Sequence, residues 1–364
     1  MDIHQATSAY ESWLREELPL VVTADLDYKH EQMSAAVFPF LRATFYRWSH
    51  RWPERCPHLA DAPTVLGVGD LHVENYGTWR DAEGRLLWGV NDLDEACELP
   101  YTADLVRLAT SAALATEDAH LSIRRMEAAE AILAGYRDGL AAGGRPLVLA
   151  DHHARLRQMA TAEPRDPVRF WAKLSALPVA PLELRLPEAI AILERALPEA
   201  GLVFEPRSRR AGLGSLGRPR LVAVTSWHGG RVAREAKALL PSAWAQAERG
   251  WASASAPIRY DELLAKAVRS ADPFVSVAAG STTWVVRRLA PDCTRIELAE
   301  LPVERDEAYL LRSMGWELAN IHLGTPGAAG AVLADMGRRK QGWLAGAATV
   351  MADDVRADWE TWRK

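Results

Sequence analysis

The chain predicts an α+β fold: a helical body around a small hairpin, plus a β-rich stretch near residues 205–300. Three observations carry this. Apolar residues recur at helical spacing toward both ends of the chain. A short alternating run closed by a turn interrupts the N-terminal third. From Gly212 onward the period shifts to that of strands separated by Gly and Pro signals.

With 364 residues, 49% apolar and 25% charged, the chain has the composition of a globular protein with a substantial core, and its length suggests about two domains. A net charge of −5 argues against broad, non-specific nucleic-acid binding. Met1 to Leu20 carries Asp2, Glu11, Arg15, Glu16 and Glu17 and no apolar signal core, and no uninterrupted apolar run is long enough for a membrane span. Cys56, Cys97 and Cys293 are odd in number and form no CxxC pair, so a reducing, cytoplasmic setting is expected. The 14 tryptophans are scattered and read as packing residues.

Taken in order, "PTVLGVGDLH" reads as a buried strand feeding a loop, and "YGTWRDAEGRLLWGVND" as a hairpin turning at Asp81 to Gly84. Leu105, Leu108, Ala112 and Ala115 share one helical face, as do Met126, Ala129, Leu133, Tyr136 and Leu140, with Gly143 and Gly144 as stop signals. Residues 145–210 hold proline breaks, the helix "PEAIAILERAL" and a basic run at Arg207, Arg209 and Arg210, which reads as a solvated linker rather than a phosphate patch. "PRLVAVTSW", the turn "HGG" and "RVAREAKAL" form strand–turn–strand, and "TTWVVRRLA" with "TRIELAEL" reads as a further hairpin. Leu311, Met314, Leu318 and Ile321 then stripe a late helix that Gly324 ends.

The chemistry concentrates in "GDLHVENYG". Phosphoryl transfer needs a carboxylate to orient or deprotonate the acceptor, and oxygen ligands for Mg²⁺ bound to the nucleotide phosphates. In the kinase pattern the catalytic Asp and a metal-binding Asn lie five positions apart, and a second metal carboxylate follows. Asp70 and Asn75 have that spacing, and Asp92 follows the hairpin. Asp94, on the same side of an extended segment as Asp92, is a further candidate ligand. His72 and Glu74 read as loop-shaping residues, and Asp104, opening a helix, as a cap or brace for the loop. Downstream, the glycines of "GLGSLG" let backbone amides approach phosphates. Lys237 at the end of "VAREAK" is placed to reach those phosphates, with Arg234 as the competitor on the opposite strand face. Arg287 and Arg288 also sit on opposite faces of one strand, available to an anion or to salt bridges.

"GDLHVENYG", "VNDLDEACELPYTADLVRLATS", "GLGSLG", "AKALLPSA", "WVVRRL" and "MGWELANIHLGTPG" together resemble the bacterial domain-of-unknown-function family 2252, over about residues 35 to 330. The same blocks resemble the aminoglycoside phosphotransferase and protein-kinase-like superfamily. That resemblance implies a two-lobed fold with Asp70 as catalytic base and Asn75 and Asp92 as metal ligands. It further implies Gly212, Gly214, Ser215 and Gly217 as the phosphate loop and Lys237 as the phosphate-pairing lysine. Val68 stands where those phosphotransferases usually have His, and Asp94 where kinases often have Gly.

The order departs from kinases, since the glycine loop and lysine follow the catalytic loop instead of preceding it. The expectation is a circularly permuted kinase-like chain. Residues 1–204 form a helical catalytic lobe with the loop hairpin, 205–303 a β-rich nucleotide-binding lobe, and 304–364 helices completing the helical lobe. The implied activity is ATP- and Mg²⁺-dependent transfer to an unidentified acceptor; nucleotidyl transfer fits the same residues. The alternatives are a metal-dependent phosphoesterase, which expects further His-rich blocks beyond His152-His153, and a non-catalytic nucleotide-binding module.

Overall fold

A computed structural model describes residues 1–117, 121–149, 151, 153–160, 166–251, 255–293 and 306–364. The protein is a mixed α+β structure with several small sheets. Strands β1 (Thr64–Gly67) and β4 (Cys97–Pro100) pair antiparallel, and between them β2 (Tyr76–Arg80), β3 (Leu86–Val90) and, later, β5 (Leu147–Val148) form a three-stranded sheet. The third sheet is antiparallel with order β6-β7-β8-β10-β9, from β6 (Arg207–Ser208), β7 (Arg220–Trp227), β8 (Gly230–Leu239), β9 (Ser276–Ala278) and β10 (Thr283–Leu289).

The expected hairpin is present: Tyr76 pairs with Val90 and Arg80 with Leu86, closed by Asp81 to Gly84. "PRLVAVTSW" and "RVAREAKAL" pair from Arg220–Lys237 to Trp227–Gly230. The partners of "TTWVVRRLA" are β8 and β9, and the proposed second arm, "TRIELAEL", lies outside the described residues.

Helices make the rest of the body. The striped helix Glu307–His322 buries Leu311, Met314, Leu318 and Ile321. It crosses Arg125–Ala141 so closely that a Cβ at Gly135 would lie 1.8 Å from the Arg312 carbonyl oxygen, and one at Gly315 2.0 Å from that of Ile132. Only glycine admits such backbone contact. The last helix, Trp343–Trp362, packs on Tyr101–Glu117 and on the N-terminal helices, where Arg47 grips Asp358 with two hydrogen bonds of 2.6 and 3.0 Å. Trp13, Trp52, Trp88 and Trp284 are fully buried, as packing residues should be. Among the described residues no helix is long and apolar enough to cross a membrane, and Cys56, Cys97 and Cys293 are free thiols.

Candidate active site

The loop after β1 is held from below by Asp104, in the first turn of helix Tyr101–Glu117. The Asp104 carboxylate accepts the amides of Val68 at 2.7 Å and Gly69 at 2.9 Å, which makes it the brace expected of it. His322, at the end of the striped helix, lies 3.0 Å from the same carboxylate and 2.7 Å from the Tyr136 hydroxyl. This buried chain ties the late helix to the early loop. Gly69 turns the loop at φ +77, where a Cβ would meet the Glu95 carbonyl oxygen at 2.4 Å. Gly69→Ala should therefore cost on the order of 1–3 kcal/mol of stability. Urea unfolding checks this, and a loss within measurement error would refute it.

Asn75 joins the loop to the end of the hairpin. Its amide nitrogen donates to the carbonyls of Asp70 at 3.1 Å and Asp92 at 3.0 Å, while its oxygen accepts the Asp92 amide at 3.0 Å. Both donor hydrogens are used, and the oxygen keeps one lone pair.

Asp70 is fixed by Arg107, three residues beyond Asp104 on the same helix and fully buried. Arg107 donates to Oδ1 through Nε at 2.9 Å and Nη2 at 2.5 Å, and its guanidinium stacks against Phe45 and Trp48. Burial raises the Asp70 pKa above the ordinary carboxylate value, and Arg107 only partly opposes it. The other oxygen, Oδ2, lies beneath Gly214, 3.1 Å from where a Cβ would sit. Glu74 is buried rather than solvated, ion-paired to Arg42, so its part is loop-structuring.

Lys237, from β8, forms ion pairs with both Asp92, at 3.3 Å, and Asp94. Burial works against the Asp92 charge, but Lys237 overcomes it and holds its pKa below the ordinary range. Asp94 moves the other way, raised by burial and by the Asp92 charge. Arg234 faces elsewhere: it donates to the Ala196 carbonyl at 2.8 Å and stacks on Phe274. The opposite facing of positions 234 and 237 is thus observed. Behind Asp94, buried Arg218 donates to Glu95 at 2.9 Å, and Glu95 accepts the Ala243 amide at 2.6 Å at the start of helix Ala243–Arg249.

The glycine loop closes over this floor. The Ser215 amide donates to the Gly212 carbonyl at 3.1 Å, and its hydroxyl accepts from Arg220 at 3.1 Å. Lys29 donates to the Gly214 carbonyl at 3.2 Å; burial lowers this lysine's pKa to about 8. Beneath lies an open cavity whose lining includes Asp70, Asn75, Asp92, Asp94, Gly212 and Gly214. Ser215 and His72 line it as well. Gly217 does not; it packs against Leu26, 2.6 Å from where a Cβ would sit.

Arg42, Lys29, Arg107, Arg218 and Glu95 were not singled out by sequence. Arg107 left a readable trace, since it follows Asp104 at i+3 and so shares its helix face. The others come from separate elements and carry no local signature.

Fold and site together define a mixed α+β protein whose carboxylates, amide and lysine converge under a glycine-rich loop. The chain belongs to the family described as uncharacterized protein conserved in bacteria (DUF2252), whose model matches residues 22–168 and 206–364. No curated protein and no solved structure matches it.

Proposed function

We propose that the chain is an ATP- and Mg²⁺-dependent transferase with a circularly permuted kinase-like fold, acting on an acceptor hydroxyl. The supporting observation is convergence across the chain. Lys237 reaches Asp92 over 145 positions of sequence, and Gly214 covers Asp70. In protein kinases a glycine-rich loop covers the phosphates and the lysine lies on the third strand. Here Lys237 is on β8, the third strand in chain order of its sheet, after the glycine loop. The end of helix Glu307–His322 meets the catalytic loop through His322 and Asp104, where a permutation would rejoin kinase order.

The donor set suits Mg²⁺, which takes one or two carboxylates and leaves other positions to water and phosphate. Asp94 Oδ1 is buried and makes no hydrogen bond among the described residues, Asp92 lies beside it, and the Asn75 oxygen has a lone pair to give. When bound there, Mg²⁺ would neutralise charge on the phosphates. The chain's own residues do the rest. Asp70, pinned at Oδ1, orients the acceptor hydroxyl and takes its proton. Lys237 holds phosphate oxygens, and amides of the glycine loop close over them.

Mg·ATP should raise the unfolding temperature, with about 2.7 kcal/mol of stabilisation at a hundredfold excess over Kd. Asp92→Ala should abolish the Mg²⁺-dependent part of that shift. Absence of any shift at millimolar nucleotide, or an unchanged shift in the variant, would sink the reading.

A further inference from the structure

A second open cavity adjoins the first, and Asp92 and Gly212 line both. Its other walls include Arg209, Arg220, Arg287 and Phe170. The strand register explains why the arginines meet. Glu235 and Lys237 are two apart on β8 and share a face. Arg287 on β10 sits opposite Glu235, and Arg220 on β7 opposite Lys237, so all four side chains project from one side of the sheet.

Three guanidinium groups converge on the single Glu235 carboxylate: Arg209 at 2.6 Å, Arg220 at 3.0 Å and Arg287 at 2.8 Å. Glu235 is fully buried, and Lys237 is already balanced by Asp92 and Asp94. Four cations, Arg209, Arg220, Arg287 and Lys237, thus face three carboxylates, Glu235, Asp92 and Asp94, which leaves one positive charge in excess. Burial makes such an excess costly unless an anion completes it. A nucleobase is neutral and cannot; a chain of phosphates can, and guanidinium forks match phosphate geometry.

Resting on the transferase reading above, we infer that the arginine cavity binds the β- and γ-phosphates of the nucleotide, and that the group transferred is the nucleotidyl group. With the terminal phosphates among Arg209, Arg220 and Arg287, the α-phosphorus lies at the junction of the cavities, on the side toward Asp70. The acceptor oxygen forms a bond to the α-phosphorus. The bond from that phosphorus to the bridging oxygen of the β-phosphate breaks, pyrophosphate leaves with the electron pair, and the hydroxyl proton passes to Asp70.

The test follows ATP turnover by the full-length protein with Mg²⁺, water standing in for the acceptor, with products resolved by ³¹P NMR. AMP and pyrophosphate are expected. ADP and phosphate, with the Mg·ATP stabilisation intact, would overturn this orientation while leaving the transferase reading in place. Loss of all nucleotide-dependent stabilisation would overturn both. Binding of inorganic tripolyphosphate provides an arm independent of turnover. Arg209→Gln, at the partly exposed rim, and Arg287→Lys, which keeps the charge but loses the fork, should each weaken it about tenfold. Unchanged affinity in both variants overturns the proposal, whether or not ATP turns over.

Discussion

Asp70→Asn is expected to slow ATP turnover by about two to four orders of magnitude, the usual contribution of a positioned general base. The substitution keeps an oxygen for Arg107, whose two bonds both fall on Oδ1, and removes the basicity of the carboxylate. Mg·ATP should still stabilise the variant, because Lys237, Asp92 and the glycine loop are untouched. The rate profile adds an independent readout. Burial raises the Asp70 pKa, and the residue must be deprotonated to accept the acceptor proton. Turnover should therefore fall as pH drops through a value above the ordinary carboxylate range, and that acid limb should vanish in Asp70→Asn. Glu74→Gln is the control, since Glu74 shapes the loop through Arg42. Turnover of Asp70→Asn within about tenfold of the wild type would remove Asp70 from the role of base.

The part of the site that was legible in the sequence is the part built from local pattern. "PTVLGVGDLH" and the hairpin after it combine apolar runs with a turn signal, so β1, β2 and β3 fall where expected, and Asp70, Asn75 and Asp92 with them. The facing of Lys237 against Arg234 followed from strand period alone. The basic run did not yield to such reasoning. It reads as a solvated linker, yet Arg209 pairs with Glu235, Arg210 with Asp25, and Arg207 with the Leu177 carbonyl. Those partners lie 26, 185 and 30 positions away, so local composition holds no trace of them. Glu74 reads as loop-shaping, but its partner does not show in the sequence, because Arg42 comes from a helix 32 residues earlier. Residue period reports which face a side chain takes; whether a charge there is buried depends on what the rest of the chain lays over it.

Glu235→Leu should destabilise the protein by about 3–5 kcal/mol, the loss typical when one member of a buried ion pair is removed. It leaves Arg209, Arg220 and Arg287 facing one another without their shared carboxylate. Urea unfolding at neutral pH measures the loss, and a value below about 1 kcal/mol would show that water, not Glu235, satisfies these guanidiniums. Burial opposes the Glu235 charge, but Arg220, Arg287 and Arg209 hold its pKa well below the ordinary value. A carboxylate depressed in this way contributes stability above its unfolded pKa, near about 4.3, and that contribution is lost as pH falls through the lower folded value. The gap between wild type and Glu235→Leu should thus be full at neutral pH and close under acid, with other carboxylates common to both proteins. Saturating tripolyphosphate should restore more stability to the variant than it adds to the wild type, because it supplies the anion that the arginine cluster has lost. Equal gains in the two proteins would mean that the phosphates bind elsewhere.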